Sequence, residues 1–247
     1  MKRTTKGLIL KEQNIGEKDK LITVLTADYG IMRAFVRGAK AVKSRKASAT
    51  TKLCYANLTF YEGKDAFIVD EAQSIEMFFT LRDSIDKLAL AEYFLELGLT
   101  FAPEEENAND ILRLLLNALY MLANDKKPPQ MLKAIVELRL MTLGGYAPNL
   151  VACDRCGAFE SPIMYFNLDG ILYCDKCADE YALLALPLPI VQAMRHIVFG
   201  SLEILFRFQL EETLLADLSY VTEQYLKEHI DYHFKTLDFY HSVENLE

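Results

Sequence analysis

CDRCGAFESPIMYFNLDGILYCDKC, residues 153–177, holds two Cys-x-x-Cys knuckles, Cys153 with Cys156 and Cys174 with Cys177, separated by seventeen residues. That is the spacing of a four-thiolate zinc site. Each knuckle offers two sulfurs to one side of a tight turn, and the segment between them is long enough to run out and back. Ile163 to Asn167 reads as a strand, Leu168-Asp169-Gly170 as a reversal with Gly available for positive φ, and Ile171 to Tyr173 as the return strand. The plainer readings are a redox dithiol, a pair of disulfides, or thiols that merely pack. Redox chemistry needs one Cys-x-x-Cys, usually between a strand and a helix, whereas here the motif is repeated across a hairpin. Zinc, one ion per chain, is therefore the expected ligand. Four thiolates leave it no open coordination position, so the site should hold structure together and not activate water. The fifth cysteine, Cys54, lies among Leu53, Tyr55 and Leu58 and reads as a small buried apolar residue.

Outside this hairpin the chain changes period once. Before residue 80, five short apolar or alternating runs (Lys6 to Lys11, Leu21 to Thr26, Ile31 to Val36, Leu53 to Tyr61, Ala66 to Asp70) are separated by Gly16, Asp28-Tyr29-Gly30, Gly38 and Glu62-Gly63-Lys64-Asp65. Five strands in so short a span fit a small barrel, of which the OB-fold is the five-stranded form most used for nucleic acid, though other small barrels share the spacing. From Asp83 the apolar spacing becomes three and four. Ile85, Leu88, Ala91, Leu95 and Leu99 predict one helix, stopped by Pro103. Ile111, Leu115, Ala118 and Leu122 predict a second, starting at Asn109 as N-cap. Met131, Ile135, Leu138 and Met141 predict a third, opened by Pro128-Pro129 and closed by Gly144-Gly145. Beyond the cysteines, Pro187 and Pro189 lead into a helix over Ile190 to Phe199, and a last long helix spans Glu211 to Lys235. The expected class is α+β: an OB-fold barrel over residues 1–80, then a helical domain over 81–247 interrupted at about 150–180 by the zinc hairpin.

Net charge is −8, which alone discourages a nucleic-acid reading. The distribution reverses this. Residues 1–80 carry 14 Lys and Arg against 9 Asp and Glu, while residues 81–247 carry 13 against 26. A basic unit is joined to an acidic one. Arg33, Arg37, Lys40, Lys43, Arg45 and Lys46 form a block without an acidic residue. A solvated loop is the plain reading of such a run. On a barrel with Tyr29, Phe35 and Tyr61 as candidate exposed aromatics, a groove that tracks phosphates of a single strand is the sharper one. Lys2, Arg3 and Lys6 would extend the track.

Catalytic patterns are scarce. His229 and His233 could face one way on a helix, but the His-Glu-x-x-His order is absent, as are the phosphate-binding and dinucleotide-binding glycine motifs. Glu104, Glu105 and Glu106 read as solvated loop charge. Only Gly7 to Leu10 is apolar after the basic start, too little for a signal peptide, and no run reaches membrane-spanning length. Reduced thiols that bind zinc fit the cytoplasm.

Gly7-Leu8, Gly16-Glu17, Asp19-Lys20-Leu21, Leu25-Thr26, Gly30, Arg37-Gly38-Ala39 and Ser44-Arg45 resemble the N-terminal pattern of the bacterial RecO recombination and repair mediators. Glu137 to Met141, followed by Gly145 to Leu150 and Cys153-x-x-Cys156-Gly157, is similar to that family's passage into its zinc module, and Lys235 to Phe239 to its C-terminal signature. The resemblance implies an OB-fold, a helical domain with a zinc hairpin, and a function without catalysis in DNA repair and recombination. That function is binding single- and double-stranded DNA, annealing complementary strands, and helping RecA, together with RecR, to replace single-strand-binding protein. It places the protein at the nucleoid. A zinc-ribbon transcription or RNA-binding factor would share the basic barrel but prefer a defined sequence or structured RNA. A zinc enzyme would need an open metal position that this pattern lacks.

Overall fold

Alternating apolar and polar residues set up five strands that close on themselves: β1 (Lys2–Ile15), β2 (Asp19–Thr26), β3 (Gly30–Val36), β4 (Tyr55–Glu62) and β5 (Phe67–Glu76). The structure is a computed structural model that describes residues 2–39, 46–63, 66–178 and 183–244. The strand order is β1-β2-β3-β5-β4, with β4 returning to β1, and β3 with β5 is the one parallel pair. This is the Greek-key barrel of the OB-fold. β1 pairs along its two edges with β2 and β4, Gly7 lying opposite Thr26 and Ala56, and a bulge at Leu10 shifts its register against β2. Ile9, Ile22, Val24, Met32, Ala34, Val36, Ala56, Leu58, Phe60 and Val69 fill the barrel. Cys54 belongs to that core, as expected. The first strand begins at Lys2 and the fifth runs on to Glu76, so both are longer than their apolar runs.

Two compact units divide the chain, residues 1–126 with 234–247, and residues 127–233. In the first unit α1 (Ile85–Phe101) and α2 (Asn109–Ala123) pack on the barrel, and α6 (Lys235–Glu244) packs on α1. Ser84 caps α1 by accepting the Lys87 amide at 3.3 Å. α1 is enclosed on most sides, with Ala89, Leu90, Tyr93, Phe94 and Leu97 buried, whereas Ile85 of its predicted stripe stands in solvent. Gly98 lets α2 approach: a Cβ there would meet Leu115 at 2.7 Å. Phe234 meets Tyr93 edge to face at 5.8 Å, and Glu96 accepts the Thr236 amide at 3.0 Å. Asn109 is the first residue of α2 and not its cap; the Asn107 side chain accepts its amide at 3.2 Å.

The second unit contains α3 (Pro129–Leu143), a three-stranded sheet of β6 (Ile163–Phe166), β7 (Leu172–Cys174) and β8 (Leu184–Pro187), then α4 (Leu188–Phe199) and α5 (Glu212–His229). The sheet order is β7-β6-β8, so the expected hairpin has a third strand. The last long helix stops short of Lys235, and a further helix follows it. α5 ends at His229, and α6 begins at Lys235 after a non-helical Ile230 to Phe234. The break has a packing cause: Leu218, Val221 and Tyr225 are buried in the second unit, whereas Phe234, Leu237, Tyr240 and Val243 are buried in the first. α3 and α5 share a buried ion cluster, in which Lys133 contacts Glu137 at 2.9 Å and Glu223 at 2.7 Å, Thr222 donates to Glu137 at 2.7 Å, and Lys227 reaches Glu223 at 2.6 Å. No helix among the described residues is long and apolar enough to cross a membrane.

Candidate nucleic-acid interface and metal centre

Strand alternation sends Lys11, Thr23 and Arg33 outward in one row: Lys11 lies opposite Thr23 on β2, and Thr23 opposite Arg33 on β3. The next row is Gln13, Leu21 and Phe35. Lys11, Thr23 and Arg33 with Gln13 and Leu21 floor a groove of about 470 Å³, walled by Leu99, Ala102 and Glu104 at and just beyond the end of α1. Cations, amide and hydroxyl donors beside half-buried apolar side chains are the chemistry that holds a sugar-phosphate chain while bases rest on the floor. Arg33 and Arg37 are exposed. Arg3 stands at the barrel's end, its guanidinium 5.1 Å from the ring centres of both Tyr29 and Phe67. Tyr29 is thus covered by an arginine. Arg3 and Arg33 share a second recess, of about 300 Å³, with Tyr29, Met32 and Phe67.

The remaining expected cations are placed differently. Lys2 pairs with Asp70 at 2.6 Å, and Lys46 donates to the Val69 carbonyl at 3.1 Å. Lys6 is exposed opposite Asn57 of β4. Lys40, Lys43 and Arg45 lie outside the described residues. Lys11, Gln13 and Thr23 were not singled out from sequence; only the register across three strands brings them to Arg33.

The Cys153, Cys156, Cys174 and Cys177 sulfurs all lie within 4.8 Å of one another. Tetrahedral Zn–S bonds of about 2.3 Å would set sulfurs roughly 3.8 Å apart, and Cys156 and Cys174 are 3.6 Å apart. The first knuckle is closed by Cys153 accepting the Gly157 amide at 2.9 Å, with Gly157 at φ 72. In the second, Cys174 accepts the amides of Cys177 and Ala178 at 3.0 and 2.9 Å. Asp154 donates to Leu172 at 2.9 Å, tying one knuckle to the strand that leads into the other. All four are free thiols. Burial tends to raise the Cys153 thiol, but surrounding hydrogen-bond donors bring it down to about 6. The crowding sulfurs push Cys177 up to about 12, Cys156 first among them. Four sulfurs so close cannot all ionise unaided, and a divalent cation removes that conflict. The donor set fits a metal ion.

Arg195 of α4, unnoticed in the sequence, holds the first knuckle in place. It is 8% exposed and donates to the carbonyls of Leu150, Val151 and Phe159 at 2.7, 3.2 and 2.7 Å, while stacking on Phe159 at 4.1 Å. An arginine within the apolar run from Ile190 to Phe199 was the signal. His229 caps the end of α5 through the Tyr225 carbonyl at 3.0 Å, and the helix stops before His233. Among the described residues the cysteines are the one cluster able to hold a metal.

An OB-type barrel with an outward polar row, followed by helices and a four-cysteine sheet, defines a class of modular protein built from a barrel and a helical, cysteine-bearing part. Residues 1–78 match the family model described as Recombination protein O N terminal, and residues 82–238 the one described as Recombination protein O C terminal. The chain belongs to the RecO family. It is 31% identical over 244 residues to the DNA repair protein RecO of Acetivibrio thermocellus, covering 98% of this chain and 97% of that one. The protein of the same name from Caldicellulosiruptor bescii is 29% identical over 241 residues, covering 97% and 98%. That of Dehalococcoides mccartyi strain CBDB1 is 28% identical over 216 residues, covering 87% and 85%.

Proposed function

We propose that the protein is a recombination and repair mediator that binds single- and double-stranded DNA, anneals complementary strands and, with RecR, loads RecA onto strands coated with single-strand-binding protein. The row of Lys11, Thr23 and Arg33 on the outer face of β1 to β3 carries this reading. The name DNA repair protein borne by its relatives supports it. DNA binding belongs to residues 1–80, with Arg33, Arg37, Lys40, Lys43, Arg45 and Lys46 neutralising phosphates, releasing counterions, and Lys2, Arg3 and Lys6 extending the contact. Contacts to phosphate carry little sequence information, as suits a protein that acts on any strand, and cations between two backbones reduce their repulsion during annealing. The acidic helical part, residues 81–247, serves protein partners. No chemical step is assigned. One structural zinc on Cys153, Cys156, Cys174 and Cys177 closes the ribbon, and the protein works at the nucleoid in the cytoplasm.

Replacing Arg33, Arg37, Lys40 and Arg45 together by Ala should weaken single-stranded DNA binding and flatten its salt dependence by about one unit of slope per lost phosphate contact. Unchanged affinity and slope would remove the barrel as the DNA face. Metal analysis should find one zinc per chain, lost in the Cys153→Ser, Cys156→Ser double variant together with the fold of the ribbon; a folded, metal-free variant of full stability would refute the structural role.

A further inference from the structure

The segment between α1 and α2 is a strap laid against the turn between β2 and β3. Ile31 donates to Pro103 at 2.8 Å, Glu105 to Tyr29 at 3.1 Å and Ala108 to Ala27 at 3.0 Å. The approach is so close that a Cβ on Gly30 would sit 2.0 Å from the Pro103 oxygen. Backbone contacts therefore fix where the strap's carboxylates stand. Glu104 stands over Arg33, its Oε1 3.6 Å from Nη2, with the two side chains 68% and 69% exposed. Glu104 also lines both recesses, the larger with Lys11 and Arg33 and the smaller with Arg3 and Arg33, where Glu105 joins it. A fold that carries cations to this face thus also carries an anion to the same arginine. The separation exceeds that of a charge-assisted hydrogen bond, about 2.7–2.9 Å, and exposed pairs of this kind are weak. Arg3, stacked between two rings, has far less freedom than a surface arginine and keeps the neighbouring wall of the smaller recess cationic.

We infer that Glu104 is a resident competitor for phosphate at Arg33: a bound strand enters by displacing this carboxylate, and one of its phosphates takes the vacated place on Arg33 in the recess it shares with Arg3. The inference rests on the barrel face being the DNA face. It assigns the strap a role that plain solvated charge would not have. Affinity for a polyanion is held down at the contact Arg33 makes, and a strand that loosens is met at once by a competing anion, which favours release over retention. Glu105 reinforces the effect from the same recess without contacting Arg33.

The test is a double-mutant cycle on the full chain, read by fluorescence anisotropy of a labelled oligothymidylate across a salt series. Glu104→Gln keeps size and leaves the backbone hydrogen bonds of the strap untouched. It should tighten binding about threefold at low salt, the gain shrinking as salt screens the carboxylate. Arg33→Ala should weaken binding and reduce the salt slope by about one. In the Arg33→Ala background, Glu104→Gln should bring no gain. If Arg33→Ala weakens binding while Glu104→Gln changes nothing, the competitor is refuted and the DNA face stands. An equal gain in both backgrounds would show a general charge effect and likewise refute it. If Arg33→Ala has no effect, the DNA-face reading falls and takes this inference with it.

Discussion

Lys133 shows how much a single buried charge depends on its neighbours. It is 1% exposed, between Glu137 and Glu223. Burial alone would drive its ammonium down, but the two carboxylates overcome that and hold it above the ordinary value of 10.5. Glu137, fully enclosed, is pushed up by burial, with Lys133 and Thr222 opposing. Replacing Lys133 by Met would leave two carboxylates facing one another, and we expect a loss of about 3–5 kcal/mol in urea unfolding. Adding Glu137→Leu should restore much of it, because a buried pair exchanged for apolar side chains is often nearly neutral. Both groups are raised in the folded state, so the sign is the same for each. The contribution of Lys133 is full below its unfolded value and lost as pH rises through its folded one. Wild-type Tm should therefore fall more steeply above pH 10.5 than that of Lys133→Met; parallel curves would contradict this.

At the scale of elements, the turn between β2 and β3 is set by Gly30, at φ 58 and in contact with the strap. Gly30→Ala must strain the backbone and push Pro103 away. We expect a loss above about 1 kcal/mol, with the 102–108 amides exchanging faster with solvent. The sequence made the barrel legible because its strands alternate cleanly, and made the ribbon legible because cysteine spacing is a geometric code. It did not show β8, since Leu184 to Pro187 reads as an apolar lead into a helix and acquires strand character only by pairing with β6. It carried the last helix on to Lys235 because helical period continues past His229, and it did not show α6, while the reason for the break, Phe234 against Tyr93, is a contact 141 positions away in the chain. The candidate DNA face was half visible. Arg33 stood in a basic block, but Lys11 and Thr23 join it through strand register, and Glu104 through a strap that looked like loop charge. The same limit applied to the contacts of Lys2 with Asp70 and of Lys46 with the Val69 carbonyl, with which a phosphate would have to compete.

At the scale of the molecule, the first unit takes its helices from both sides of the second, with residues 234–247 returning to α1. Ending the chain at Phe234 would remove α6, with its buried Leu237, Tyr240 and Val243. We expect such a truncation to lower the denaturation midpoint of the barrel and weaken DNA binding while metal content matches that of the full chain, since all four clustered cysteines lie in the contiguous second unit. Metal loss on truncation would overturn that separation. The same threading governs how the protein is born. On the ribosome the barrel strands and α1 emerge early, yet the helix that covers the flank of α1 is made only after the whole cysteine-bearing unit. At bacterial speeds of about 5–20 residues per second, the intervening stretch takes roughly 7–27 seconds to synthesise. For that interval the nascent chain carries the α1 face beside Tyr93 without the helix that later covers it.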